Sequence, residues 1–82
     1  MSDTVDEVLD NRGLEPPMPM TRTLEAYEGL APGGRLRIHN DRVPIYLLPQ
    51  LEERGARFEI DEQVDGSAFV TITKPEGDAA AR

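Results

Sequence analysis

Apolar and polar residues alternate in three segments of the chain, and this alternation is typical of strands that bury one face. The segments read "RLRIHN" (35–40), "ARFEID" (56–61) and "SAFVTIT" (67–73), and each places its apolar residues on one side, apart from Phe69 in the last. Asp65-Gly66, between the last two, is a strong hairpin-turn signal. A shorter strand is predicted over Glu7 to Arg12, which Gly13 ends. The chain therefore contains four predicted strands, the last two joined as a hairpin.

Two further segments repeat their apolar residues with the period of a helix. The first presents one apolar face, made of Met20, Leu24, Tyr27 and Ala31. Pro19 suits the first turn of this helix, and the run Pro32-Gly33-Gly34 ends it. The second presents Ile45, Leu48 and Leu51 and ends at Gly55. Because the ring of Pro49 would disrupt a helix interior, we predict that the second helix begins near Leu47.

The predicted order is β-α-β-α-β-β over residues 7–74, which forms one domain. Short crossovers keep both helices on the same side of the sheet, where they cover its apolar face. We therefore expect an α/β (α+β) two-layer sandwich, with a four-stranded mixed sheet and two helices on one face. Residues 1–6 and 75–82 are expected to be flexible termini. The other sheet face is expected to be open and to carry Arg35, Arg37, Arg57 and an exposed Phe69, together with His39, Glu59 and Thr71.

Charge and composition exclude several classes of partner. The 82 residues include 16 acidic and 9 basic side chains, for a formal net charge of −7, and a field of this sign repels nucleic-acid phosphates and anionic membranes. The chain starts with no basic and apolar leader and contains no apolar stretch long enough for a membrane span. We accordingly expect a cytoplasmic monomer that binds neither nucleic acid nor membrane.

Candidate binding residues follow the first two predicted strands. If these strands are parallel neighbours, the loops that leave their carboxyl ends form the usual ligand crevice of an α/β sheet. The candidates in these loops are Arg12, Glu15, Met18, Met20, His39, Asn40, Asp41 and Arg42. Imidazole, thioether and carboxylate groups are metal ligands, although the spacing here is that of no recognised metal motif.

Catalytic signals are weak. The chain has one His and no Cys, and Ser2 and Ser67 fall in a tail and a turn. The stretch "APGGR" lacks the Lys-Ser/Thr end of a phosphate-binding loop. We therefore expect a protein that is not an enzyme and has no resident cofactor.

The stretch "LDNRGLEPPMP" (9–19) resembles the hallmark of sulfur carriers of the TusA and SirA type, Leu-Asp-x-x-Gly-Leu-x-Cys-Pro-x-Pro. The matching positions are Leu9, Asp10, Gly13, Leu14, Pro17 and Pro19, whereas Pro16 stands at the position of the cysteine. A cysteine-less branch of this superfamily, a domain of unknown function, is more similar still, in "RGLEPPMP", "NDRVP" and "LLPQLEERG". The resemblance implies the two-layer fold. Members of that branch occur beside hemerythrin-like domains or near nitrogen-oxide respiration genes.

The substitution at the cysteine position excludes persulfide carriage by this chain. Pro16 has no nucleophile, and the thioethers of Met18 and Met20 cannot form a persulfide. The leading hypothesis is a non-catalytic accessory module that binds a partner protein through the prolines or the open sheet face, in a redox or nitrogen-oxide pathway if the resemblance extends that far. The alternative is a small-ligand, metal or haem site at the strand edge, around Glu15, His39 and Asp41.

Overall fold

The predicted order of elements is confirmed in the computed structural model, which describes residues 5–76. The elements are β1 (Glu7–Asp10), α1 (Met18–Glu28), β2 (Arg35–Asn40), α2 (Leu47–Glu53), β3 (Arg57–Glu62) and β4 (Ala68–Thr73). β1 ends two residues earlier than predicted, because the Arg12 N–H donates to Asp10 Oδ1 (3.2 Å) and turns the chain out of the strand. The termini predicted to be flexible lie largely outside the described residues, at 1–4 and 77–82.

The four strands form one mixed sheet in the order β1-β2-β4-β3. β1 and β2 are parallel neighbours, with Leu9 opposite Ile38, and the other two pairs are antiparallel. The adjacency of β1 and β2, on which the predicted ligand crevice depends, is therefore present. At the start of β2 the backbone of Arg35 is held by Asp6, which donates its N–H to Arg35 O (2.9 Å) and accepts the Arg35 N–H at its carboxylate (2.8 Å).

The hydrophobic core lies between one face of the sheet and the two helices. Its fully or nearly fully buried members are Tyr27, Leu30, Leu36, Ile38, Leu47, Leu51, Val70 and Ile72. The alternation predicted for β2 and β4 matches their burial, residue by residue. Neither helix in the described part of the chain is long and apolar enough to cross a membrane.

Three residues predicted to face the core are exposed instead. Ile60 is 41% exposed, because β3 is an edge strand of the sheet. Ala31 lies beyond the end of α1, and Leu30 takes its place in the core. Ile45 is 62% exposed, because it lies in the turn before α2 and not on the helix; the Leu47 N–H donates to Pro44 O (3.0 Å) as the helix begins. α2 does begin at Leu47, as predicted, which places Pro49 in the first turn, where a missing N–H is tolerated.

The carboxyl end of α1 is capped by the single lysine of the chain. Lys74 Nζ donates to the carbonyls of Tyr27 (3.3 Å), Glu28 (3.1 Å) and Leu30 (2.8 Å). The same ammonium lies 5.3 Å from the centre of the Tyr27 ring. A cation at this end of a helix opposes the partial negative charge of the last carbonyls, so Lys74 fastens the end of β4 to α1.

Candidate binding crevice

The carboxyl ends of β1 and β2 open onto a crevice between the loops that follow them. Asp41 joins the two loops directly, since its Oδ2 accepts the N–H of Gly13 at 2.9 Å. Gly13 has φ +81°, a conformation that glycine adopts without the steric cost of a side chain. The turn between β3 and β4 contributes a third wall through Gly66. Parallel pairing therefore brings together loops that lie far apart in the sequence.

A buried polar cluster forms the floor of the crevice. The amide of Asn11, which has no exposed surface, donates from Nδ2 to Asn40 Oδ1 (3.0 Å) and to Thr23 Oγ1 (3.1 Å). The Thr23 hydroxyl uses its one hydrogen on Pro19 O (2.8 Å) and can only accept from Asn11, which fixes the orientation of the amide. Asn11 Oδ1 is buried and has no partner among the described residues. This cluster fastens the end of β1 to α1 and to β2.

The helix start beside the crevice is poor in hydrogen-bond donors. Pro17 is the N-cap of α1 and Pro19 follows in the first turn, and neither has an N–H. The Met18 N–H already donates to Glu15 O (2.9 Å), and the Pro16–Pro17 peptide is cis. Within residues 5–76, Met20 is left as the first-turn residue with an unused N–H. A helix start that would hold an anion or a thiolate needs several such donors, so this one is suited to neither.

The crevice has a volume of about 660 Å³ and a largely apolar lining. The apolar lining residues are Leu14, Pro16, Pro17, Pro19, Met20, Val43, Pro44, Ile45, Tyr46 and Leu47. Two of these project into solvent at the rim, where Ile45 is 62% and Tyr46 79% exposed. The polar lining consists of Asn11, Asn40, Asp41, Arg42 and Glu62.

The structure divides the residues predicted for this edge into two groups. Those that line the crevice are Met20, Asn40, Asp41 and Arg42. The others, Arg12, Glu15, Met18 and His39, do not. Arg12 turns back onto Asp10 in a two-bond ion pair (2.9 and 2.8 Å), which holds the pKa of Asp10 well below its usual value and raises that of Arg12. Glu15 and Met18 are exposed.

His39 lies on the open face of the sheet, away from the crevice. Its ring stacks on Phe69 with centroids 4.0 Å apart, and its Nε2 lies 3.0 Å from Ser67 Oγ. His39, Glu15 and Asp41 therefore do not converge. Residues 5–76 contain no group of three or more His, Asp or Glu side chains that could hold a metal ion.

The Ser67, His39 and Asp65 side chains form a chain of hydrogen bonds that does not have the order of a hydrolase triad. The Ser67 hydroxyl donates to Asp65 Oδ1 (2.7 Å), and this bond, with a second from the Ser67 N–H (2.9 Å), lowers the pKa of Asp65. Since the hydroxyl has one hydrogen, His39 Nε2 must donate to Ser67 and cannot accept its proton. The arrangement instead fastens the β3–β4 turn to β2.

The predicted open sheet face exists, but its aromatic residue is less exposed than expected. Phe69 is half-buried, because His39 stacks on its ring and the Arg37 guanidinium lies 4.9 Å from the ring centre. Arg35 and Arg57 lie on the same face. A sheet face with its aromatic residue covered in this way offers less apolar contact than the crevice does.

Sequence reasoning missed the buried amide of Asn11 and the exposed aromatic ring of Tyr46. One signal was available for the first: Thr23 lies three residues after Met20 and four before Tyr27, so it falls on the apolar face of α1. A polar residue there requires a hydrogen-bonding partner from another element. No comparable signal distinguishes Tyr46 from a core residue.

Comparisons with known proteins agree with this fold. The crystal structure of a SirA-like protein from Desulfitobacterium hafniense is 28% identical, superposes with a TM-score of 0.75, and is matched over 87% of this chain and 100% of its own. No protein of curated function matches. A family model described as an uncharacterised conserved protein (DUF2249) matches residues 8–74. Since this match spans β1 to β4, the chain belongs to the DUF2249 family.

Proposed function

We propose that this chain is a non-catalytic accessory module that binds an apolar segment of a partner protein in the crevice between the β1–α1 and β2–α2 loops. The observation that carries the proposal is the exposure of Ile45 and Tyr46 at the rim. Large apolar side chains gathered beside a concave apolar surface are typical of interaction sites. Burying each would contribute about 1.5–3 kcal/mol.

The lack of a sulfur nucleophile at Pro16 supports binding over persulfide chemistry. The chain has no cysteine, and Pro16 in the crevice wall cannot form a covalent bond to sulfur. The crevice lining is mostly prolines and other apolar side chains, with two amides and the charged Asp41, Arg42 and Glu62 among them. Such a lining holds a partner chiefly by shape and apolar contact. On the family resemblance, the proposal also places the partner protein in a redox or nitrogen-oxide pathway.

A photo-crosslinking amino acid at Tyr46 tests the proposal in extracts of the organism that encodes the chain. Tyr46 is replaced because it is exposed at the rim; the control places the same group at Glu53, which is exposed at the far end of α2. The captured protein is then purified and its affinity for the full chain measured. Ile45→Ser should weaken that affinity at least tenfold, since it removes most of the apolar side chain from the rim. Equal capture at both positions, or an unchanged affinity, would contradict the proposal.

A second candidate is a small apolar ligand in the same crevice. The volume of about 660 Å³ falls within the range of small-molecule sites, which combine an apolar lining with a few polar groups. Ligand-detected NMR with a fragment library separates the two candidates. Fragments that bind the crevice of the purified chain and are not displaced by the captured protein would favour the small ligand.

A further inference from the structure

We infer that the segment received by the crevice is basic as well as apolar, an inference that rests on the proposed function. The charged groups that line the crevice are Asp41, Glu62 and Arg42. Glu15 does not itself line the crevice, but it is exposed between Leu14 and Pro16, which do. Acidic groups therefore outnumber basic ones around the apolar surface.

The acidic groups that line the crevice are held in no ion pair within the described chain. Neither Asp41 nor Glu62 forms an ion pair within residues 5–76. Other cations are committed elsewhere: Arg12 pairs with Asp10, Arg54 with Glu28, and Lys74 with the carbonyls of α1. The open-face arginines lie on the opposite side of the sheet. The formal net charge of −7 adds a general attraction for cations.

The apolar rim suits a basic segment particularly well. Lysine and arginine lay their aliphatic stems on apolar surface and keep the charged end in water. The ring of Tyr46, 79% exposed, offers a face to such a cation. An apolar anchor in the crevice would thus bring a neighbouring lysine or arginine within reach of Glu62 at the β3 end of the lining.

Three short blocked peptides test the inference on the full chain. The first has a tryptophan between leucines with lysines at both ends; the second replaces the lysines by glutamates; the third keeps the lysines and replaces the apolar residues by serines. The chain contains no tryptophan, so tryptophan fluorescence of the first two peptides reports binding directly, and a terminal dye reports the third. The basic apolar peptide should bind at least tenfold more tightly than either of the others.

Matched variants assign the effect to the crevice. Glu62→Gln should weaken binding of the basic apolar peptide about threefold, as expected for one exposed ion pair, and should not weaken binding of the acidic peptide, whose glutamates it no longer repels. Glu53→Gln makes the same change of charge at the far end of α2 and should have no effect. Ile45→Ser should weaken the binding of both apolar peptides. Circular dichroism of each variant checks that it folds.

The outcomes separate this inference from the function on which it rests. Equal binding of the basic and acidic apolar peptides, both weakened by Ile45→Ser, would overturn the inference and leave the crevice as an apolar site. Binding that Ile45→Ser does not change, or none by either apolar peptide, would overturn both. Equal binding of the basic serine peptide would reduce the effect to non-specific attraction by net charge and overturn both as well.

Discussion

The buried amide of Asn11 should be essential to the crevice floor, and its contribution can be worked out from its contacts. Asn11→Ala removes the bonds from Nδ2 to Asn40 (3.0 Å) and Thr23 (3.1 Å), each worth about 0.5–1.5 kcal/mol. Asn40 Oδ1 is left unpaired, whereas the Thr23 hydroxyl keeps its bond to Pro19 O. Together with the cavity, the expected loss is about 2–4 kcal/mol. The total stability of a domain of this size is of the order of 4–12 kcal/mol, so the loss is easily measured by urea unfolding.

Asn11→Asp tests the reasoning more sharply, because it changes the chemistry and not the shape. Thr23 and Asn40 both accept from Asn11, so a carboxylate would place acceptors against acceptors. Burial raises the pKa of such a carboxyl, and the protonated form can still donate one bond. With a raised folded-state pKa, the variant is least destabilised below about pH 4 and loses stability as pH rises toward the folded-state pKa, by up to about 1.4 kcal/mol per pH unit.

The assay is urea unfolding of the parent and the variant between about pH 4 and pH 7, followed by far-UV circular dichroism. Gln50→Glu serves as the control, because the Gln50 side-chain oxygen already accepts a bond from Arg54 (3.2 Å) and a carboxylate can do the same. We expect the control to change stability by less than about 0.5 kcal/mol. An Asn11→Asp variant as stable as the parent at pH 7, or with no dependence on pH, would refute this account of the crevice floor.

Three further predictions concern the framework around the crevice. Lys74→Met removes three bonds of 2.8–3.3 Å to the end of α1 and should cost about 1–3 kcal/mol in urea unfolding; a loss below about 0.5 kcal/mol would contradict the capping role. Tyr27→Phe removes a buried hydroxyl that has no partner in the described chain, and burial raises the pKa of this hydroxyl. The free energy of unfolding should stay equal or rise by up to about 1 kcal/mol. A loss of that size would contradict the absence of a partner for the hydroxyl. The lowered pKa of Asp65 contributes stability above about pH 4, and this contribution is lost as pH falls through the folded-state pKa. Asp65→Asn should therefore make stability depend less on pH in that range. An unchanged pH dependence would contradict this role of Asp65.

The sequence predicted the fold wherever one residue pattern had one physical solution. Leu36 and Ile38 alternate with polar residues, and a strand with one buried face is the arrangement that satisfies both. The start of α2 at Leu47 followed from the constraint that Pro49 imposes on a helix. The family resemblance of residues 9–19 implies the same two-layer fold, and the comparisons confirm this resemblance.

The candidate site was less predictable, because it depends on contacts between loops. Ile45 has the spacing of a core residue, yet the turn before α2 directs it into solvent. The alternation of residues 35–40 predicts His39 on the open face, and there it stacks on Phe69; only the competing prediction that it belongs to the crevice is wrong. Asn11 was assigned to a strand and is instead the buried link between three elements. The placements of Ile45 and Asn11 are decided by tertiary packing, which the periodicity of one segment does not contain.

The most direct test of the binding role is amide NMR of the nitrogen-15-labelled chain, titrated with the protein that the Tyr46 probe captures. The account predicts saturable shifts at the residues that line the crevice, such as Leu14, Met20 and Tyr46. It predicts no shifts on the open face, at Arg37 and Thr71. Shifts confined to the open face would contradict the account and move the binding surface to the other side of the sheet.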